Sequence, residues 1–149
     1  MTYPTLNFPP IHLRARRNAD GRTEVFDRVR GRWLVLTPEE WVRRHVVEYM
    51  IEECGFAPQQ IVEEYPVLIN GMAQRADIVA TDHLGNLSIV VECKEPNIKL
   101  DSEVLAQVVR YNSVLHCEYI VLTNGLQTYC YQQCDNKYTP ICRFPHSQK

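Results

Sequence analysis

A chain of 149 residues, 45% hydrophobic and 23% charged, has room for one packed domain and little more. It contains no apolar run of 18 residues, and its opening, MTYPTLNFPP, has neither a basic nor an apolar leader region. A membrane span and a secretory signal are therefore not expected, and a cytosolic protein is. The net charge of −2 says nothing about nucleic acid by itself, but its distribution does. Residues 1–44 hold nine arginines against five acids, whereas residues 45–149 hold seven basic against thirteen acidic residues. An arginine-rich limb beside an acidic body suits phosphate contacts on one part and cation binding on the other. A solvated charged hairpin explains the same pattern equally well.

Along the chain, residues 11–36 predict a hairpin. IHLRARRN turns at Ala19-Asp20-Gly21 into TEVFDRVR, and Gly31 separates this from RWLVL. TPEEWVRRHVVEYMIEECG then predicts a helix. Thr37 is the N-cap, Pro38 fits the first helical position, Glu40 completes a capping box and Gly55 ends the helix. QIVEEYPVLI and MAQRADIVAT form a hairpin across Asn70-Gly71, and DHLGN leads into a third strand, LSIVVECKEP. A second helix, SEVLAQVVRYNSVLHC, begins at Asp101 or Ser102, and EYIVLTNG reads as a buried strand. LQTYCYQQCD and KYTPICRF make a final, more exposed pair. The division expected is one domain over residues 1–149: a hairpin extension (1–36), an αβββαβ core (37–125) and C-terminal strands (126–149).

IVVECKEP closes an apolar run with Glu92, Cys93 and Lys94. Alternation places Glu92 and Lys94 on one face of the strand, with Cα atoms about 7 Å apart. Asp77 interrupts the apolar stretch of the preceding strand and comes close to Glu92 if the two strands pair. Two carboxylates in a partly apolar setting resist joint ionisation, a divalent cation removes that penalty, and a lysine beside it can orient water and screen phosphate charge. A rim ion pair of Lys94 with Asp77 or Glu92 accounts for the same spacing. The six cysteines lack any C-x-x-C pair and read as small buried hydrophobes. A zinc site from Cys130, Cys134, Cys142 and His146 is the alternative, on spacings that match no common zinc pattern.

Taken together, RADIVATD, LSIVVECKEP, AQVVRYNSVL and EYIVLTNG resemble the N-terminal nuclease domain of type I restriction enzyme R subunits, in the PD-(D/E)XK superfamily. The resemblance runs from about residue 7 to residue 131. It implies a restriction-endonuclease-like fold with a mixed sheet. It also implies Asp77 and Glu92 as metal-binding acids for Mg²⁺ or Mn²⁺, the Cys93 carbonyl as a further ligand, and Lys94 as the catalytic lysine. Gln107 and Tyr111 match a Gln-x-x-x-Tyr pair that supports the active site. For the acid that this superfamily places on its first helix, Glu40 is favoured over Glu48. Arg43, Arg44, Arg75 and Arg110 are candidates for phosphate contacts. The implied partner is DNA, with restriction-modification or motor subunits, and a homodimer if a duplex is cut. No G-x-x-x-x-G-K-[ST] loop occurs, so ATP-driven translocation is expected to be absent or supplied by another protein. The rival expectation is a nucleic-acid-binding or assembly module that keeps the nuclease fold with little activity.

Overall fold

Turn chemistry sets the frame of the sheet. In the computed structural model, which describes residues 3–147, Asn70 and Gly71 take φ of 49° and 77°. These left-handed values close a two-residue hairpin whose twist matches its strands. The turn joins β4 (Ile61–Ile69) to β5 (Met72–Thr81), and β6 (Leu87–Cys93) follows antiparallel. Helix α2 (Ser102–Leu115) then carries the chain over to β7 (Tyr119–Thr123), which pairs parallel with β6. β8 (Thr128–Cys134) and β9 (Lys137–Ile141) extend the same sheet through a turn at Asp135-Asn136, giving one mixed sheet in the order β4-β5-β6-β7-β8-β9.

Helix α1 (Pro38–Glu52) covers one face of this sheet and α2 the other. Val42, Val46 and Met50 of α1 pack on Ile78, Ile89, Val91 and Val121. Val104, Val108, Tyr111 and Leu115 of α2 pack on Val79, Val90, Ile120 and Leu122. The strands thus send alternate side chains into two cores, as a sheet buried on both faces requires. Both helices start on side-chain caps. Thr37 Oγ1 accepts from the Glu40 N–H at 3.1 Å, and Asp101 Oδ1 accepts from the Glu103 and Val104 N–H groups. The expected capping box is half made: Glu40 turns its carboxylate to Arg43 and Arg44 instead of back to Thr37.

The N-terminal segment forms a separate three-stranded antiparallel sheet, not a two-stranded hairpin alone. It comprises β1 (Ala15–Arg17), β2 (Thr23–Asp27) and β3 (Arg32–Val35). It is tied to the body by ions: buried Asp27 accepts from Arg44 of α1 at 2.8 Å, and Arg30 reaches Glu64 of β4 at 2.7 Å. Among the described residues no helix is long and apolar enough to cross a membrane.

Candidate active site

Strands β5 and β6 stay paired as far as Ile78 and Val91. Continuing that register by one pair brings Asp77 opposite Glu92, where the strands part. The ladder fails at Asp77 on its other side as well. Glu63 pairs with Ile78 and Tyr65 with Ala76, while Glu64, opposite Asp77, leaves the pattern with a left-handed φ of 52°. A non-glycine residue held there costs on the order of 1–3 kcal/mol, and such strain tends to cluster at functional positions. Asp77 is thus released from the sheet on both sides and free to engage other groups.

Its oxygens are both engaged. Oδ2 accepts the Cys93 N–H at 2.7 Å, and Oδ1 lies 3.3 Å from Nη2 of Arg43. The Glu92 carboxyl is buried beside Asp77. Burial first, and then the Asp77 charge, push Glu92 from its ordinary 4.5 up to about 9; Lys94, whose Nζ is 3.4 Å from Glu92 Oε2, pulls the other way without prevailing. Backbone pinning fixes the lysine at the end of the run: the Lys94 N–H donates to Thr123 O at 2.9 Å, which prolongs the β6–β7 ladder by one residue. Its side chain opens into a cleft of about 600 Å³ lined by Glu39, Lys94, Ile98, Asp101, Gln107 and Arg110.

Above the carboxylates, Gln107 Nε2 donates to the hydroxyl of Tyr111 at 3.0 Å, one turn apart on α2. Tyr111 is buried and feels the Glu92 charge, which, behind burial itself, raises its pKa. Across the cleft the Thr123-Asn124-Gly125 corner holds the rim. Asn124 accepts from the Leu126 and Gln127 N–H groups and donates to Ile98 O at 2.8 Å. Gly125 has a left-handed φ of 85°, which favours glycine, and a Cβ there would press on the tip of Leu6 at 2.7 Å.

The family described as the type I restriction enzyme R protein N terminus (HSDR_N) matches residues 38–145, from the start of α1 past the end of β9. The chain belongs to this family. Its fold is also that of a solved fragment of a chain assigned as the HsdR subunit of a type I restriction enzyme from Vibrio vulnificus YJ016. That likeness has a TM-score of 0.56 at 21% identity and covers 74% of this chain. The aligned region is 24% of that chain. No curated protein matches this sequence.

Against the sequence expectations, this R-protein N-terminal domain brings Asp77, Glu92, Lys94, Gln107 and Tyr111 into one place. Cys93 buries its thiol in the α1 core and turns its N–H on Asp77. Three expectations are corrected. Arg44 is 3% exposed and saturated by Asp27, Glu40 and Glu63, so it cannot meet a phosphate. Arg43 is also buried, among Glu39, Glu40 and Asp77; burial opposes its charge, and these acids outweigh it. Glu40 is sequestered by the two arginines and Glu48 is paired with Arg28, so neither faces the cleft. The α1 acid that does is Glu39, which lines the cleft; burial and then Asp77 raise its pKa. Among the described residues no cluster of three metal-ligating side chains forms, neither at Cys130, Cys134, Cys142 and His146 nor at Asp77 and Glu92. Arg75 and Arg110 remain exposed, Arg110 on the cleft itself.

A pH test of the carboxylate pair follows. The folded protein keeps a proton on Glu92 that the unfolded chain has lost above pH 4.5, so this contribution to stability is complete below about 4.5 and is lost as pH rises toward about 9. Glu92→Gln preserves the neutral shape and removes the titration. In chelator, thermal unfolding should show the wild-type melting temperature falling between pH 6 and 9 by on the order of 5 °C more than that of the variant. Parallel curves would show that Glu92 ionises freely.

Proposed function

We propose that this chain is a divalent-metal-dependent endonuclease that hydrolyses phosphodiester bonds in DNA. The observation carrying this reading is the meeting of Asp77 and Glu92 at the point where the β5–β6 ladder opens, with Lys94 beside them at the mouth of the cleft. The donor set fits Mg²⁺ or Mn²⁺: two hard carboxylates whose mutual repulsion a cation would relieve, set behind a cleft that Lys94 and Glu39 line. Asp77, Glu92 and the Cys93 carbonyl would hold the ion, with Glu39 at the rim. When bound, such an ion supplies a water of lowered pKa and screens negative charge on the phosphate. Lys94 would orient an attacking water and carry a positive charge to the phosphate, and Gln107 with Tyr111 would fix the far wall. Arg110 on the cleft and exposed Arg75 would meet flanking phosphates. One such site cuts one strand, so duplex cleavage calls for a homodimer or two loading events. Translocation along DNA would come from a partner motor subunit.

A binding module with little activity is the second reading, and one contact favours it: Arg43 Nη2 lies against Asp77 Oδ1, where it competes with a cation. Nicking separates the two. Supercoiled and single-stranded DNA incubated with Mg²⁺ or Mn²⁺ should be cut, with cutting lost in chelator and in Asp77→Ala. DNA retention with no metal-dependent cutting under any of these conditions supports the binding module.

A further inference from the structure

We propose that the outer face of the β1–β3 sheet is a docking platform for single-stranded DNA, stacking unpaired bases on Phe26 and Trp33. The identity of the polymer rests on the nuclease reading; the platform itself rests on the sheet.

Register fixes what this face carries. The Phe26 N–H donates to Arg14 O, and Phe26 pairs with Trp33, so Arg14, Phe26 and Trp33 form one row across the sheet. Arg16, Glu24 and Val35 form the next row on the same side. The opposite side holds Val25 and Asp27, both buried against the body. The aromatic rows therefore look outward, and neither Phe26 nor Trp33 belongs to either hydrophobic core. Two large rings held half-exposed and edge to face, 5.4 Å apart, are not needed to close a core.

Arginines frame these rings. The Arg14 guanidinium lies 4.6 Å from the Phe26 ring centre, and that of Arg16 lies 4.3 Å from the Trp33 ring centre. Residues 11–26 hold four arginines against two carboxylates. Glu24 binds Arg16 at 2.7 Å, while Arg14, Arg17 and Arg22 are exposed and form no ion pair among the described residues. A guanidinium over an exposed ring is held weakly, and it stacks on a nucleobase as readily as on a side chain. Rings on a sheet flanked by exposed cations match the chemistry of single strands, whose bases are free to stack and whose phosphates follow within reach. A duplex hides its base faces and offers this surface phosphates alone.

The inner face of the same sheet is tied to the body beside the carboxylates. The residue pair next to Phe26–Trp33 is Asp27–Arg32. Asp27 is anchored on Arg44 of α1, and Arg32 approaches Glu64 at 3.7 Å. Glu64 stands opposite Asp77 in the sheet register. The sheet that carries the platform is thereby anchored, through its inner face, to the strand that borders the carboxylates.

The test uses the intact chain in chelator, where metal-dependent cutting does not confuse binding. Trp41 is packed between Tyr3 and His45, so Trp41→Phe leaves Trp33 as the reporter. Titrating this variant with a twenty-residue oligothymidine should quench its fluorescence by about half or more on stacking. Affinity should fall with salt at a log–log slope of about −2 to −3 for three to four phosphate contacts. Arg14→Glu with Arg16→Glu should weaken binding by at least about tenfold while the melting temperature holds. Arg17→Glu with Arg22→Glu gives the same comparison at the hairpin tip should the first pair fail to fold. Absent quenching at saturation, equal affinity and quenching with a duplex, stronger binding of oligouridine, or indifference to both charge reversals each overturns the proposal. Nicking lost while oligothymidine binding persists would sink the hydrolase reading and leave the platform standing; binding lost while nicking persists would do the reverse.

Discussion

Lys94→Ala is expected to slow metal-dependent nicking by at least about a hundredfold, the range in which a positioned proton carrier or charge-stabilising donor acts. The melting temperature should stay within about 2 °C of wild type, because the Lys94 side chain is 28% exposed and its one ion pair among the described residues is with Glu92, which keeps its proton and so is not left as a bare charge. The backbone of residue 94 is held by Thr123 O irrespective of the side chain, so the substitution leaves the end of β6 in place. Lys94→Arg should be nearly as slow. A guanidinium is bulkier, planar and permanently protonated, so it neither fits beside the Glu92 carboxyl nor takes up and releases a proton. Time courses on supercoiled DNA, beside thermal unfolding of each variant, make the check. Wild-type cutting by Lys94→Ala would remove the lysine from the chemistry, and with it much of the case for hydrolysis.

The elements that could be read from the sequence are those determined by neighbours along the chain. Asn70-Gly71 takes a left-handed turn wherever it stands, Thr37-Pro38 opens a helix, and alternation along ADIVA and IVVECK sends Asp77 and Glu92 to one side of paired strands. What escaped reading depends on how helices dock. Glu39 and Glu40 are adjacent, about 100° apart around α1, and both suit a first turn. Only the packing of Val42 and Val46 on the sheet decides that Glu39 looks into the cleft while Glu40 goes under it. Arg43 and Arg44 carry the same ambiguity: on a bare helix they are surface charges, yet here they are ringed by acids from β2, β4 and β5. The left-handed Glu64 carried no local warning, since no glycine or asparagine marks the break. That break follows from pairing strands on both sides of Asp77, which no single segment encodes.

The buried arginines carry the second large effect. Arg44→Ala is expected to destabilise the protein by about 3–5 kcal/mol, a cost set less by the bond lost than by the charges left behind. Arg44 spans three elements: Nη1 is 2.8 Å from Asp27 of β2, Nε is 3.1 Å from Glu40 of α1, and Nη2 binds Glu63 of β4. The Asp27 and Glu63 side chains have no solvent exposure. Without Arg44 the cation left to them would be Arg30, which touches Asp27 at 2.5 Å and Glu63 at 3.4 Å. Burial pushes Asp27 upward, yet Arg44 and Arg30 outweigh it and hold its pKa below 3.8. The stability this ion carries is present above that value and is lost as pH falls through the lowered one, a loss the variant should no longer show in full. At roughly 2–4 °C per kcal/mol for a chain of this size, the melting temperature should drop by about 10 °C. Adding Glu63→Gln should restore part of it, because one stranded charge is removed with its partner. Additive losses in the double variant would instead mean that Arg44 acts through packing alone. Arg30 also holds Glu64, and Glu64 lies near Arg43, the partner of Asp77, so loosening this network should slow nicking beyond what unfolding explains. Activity measured well below the lowered melting temperature checks that last step: a rate equal to wild type there would confine the network to the fold.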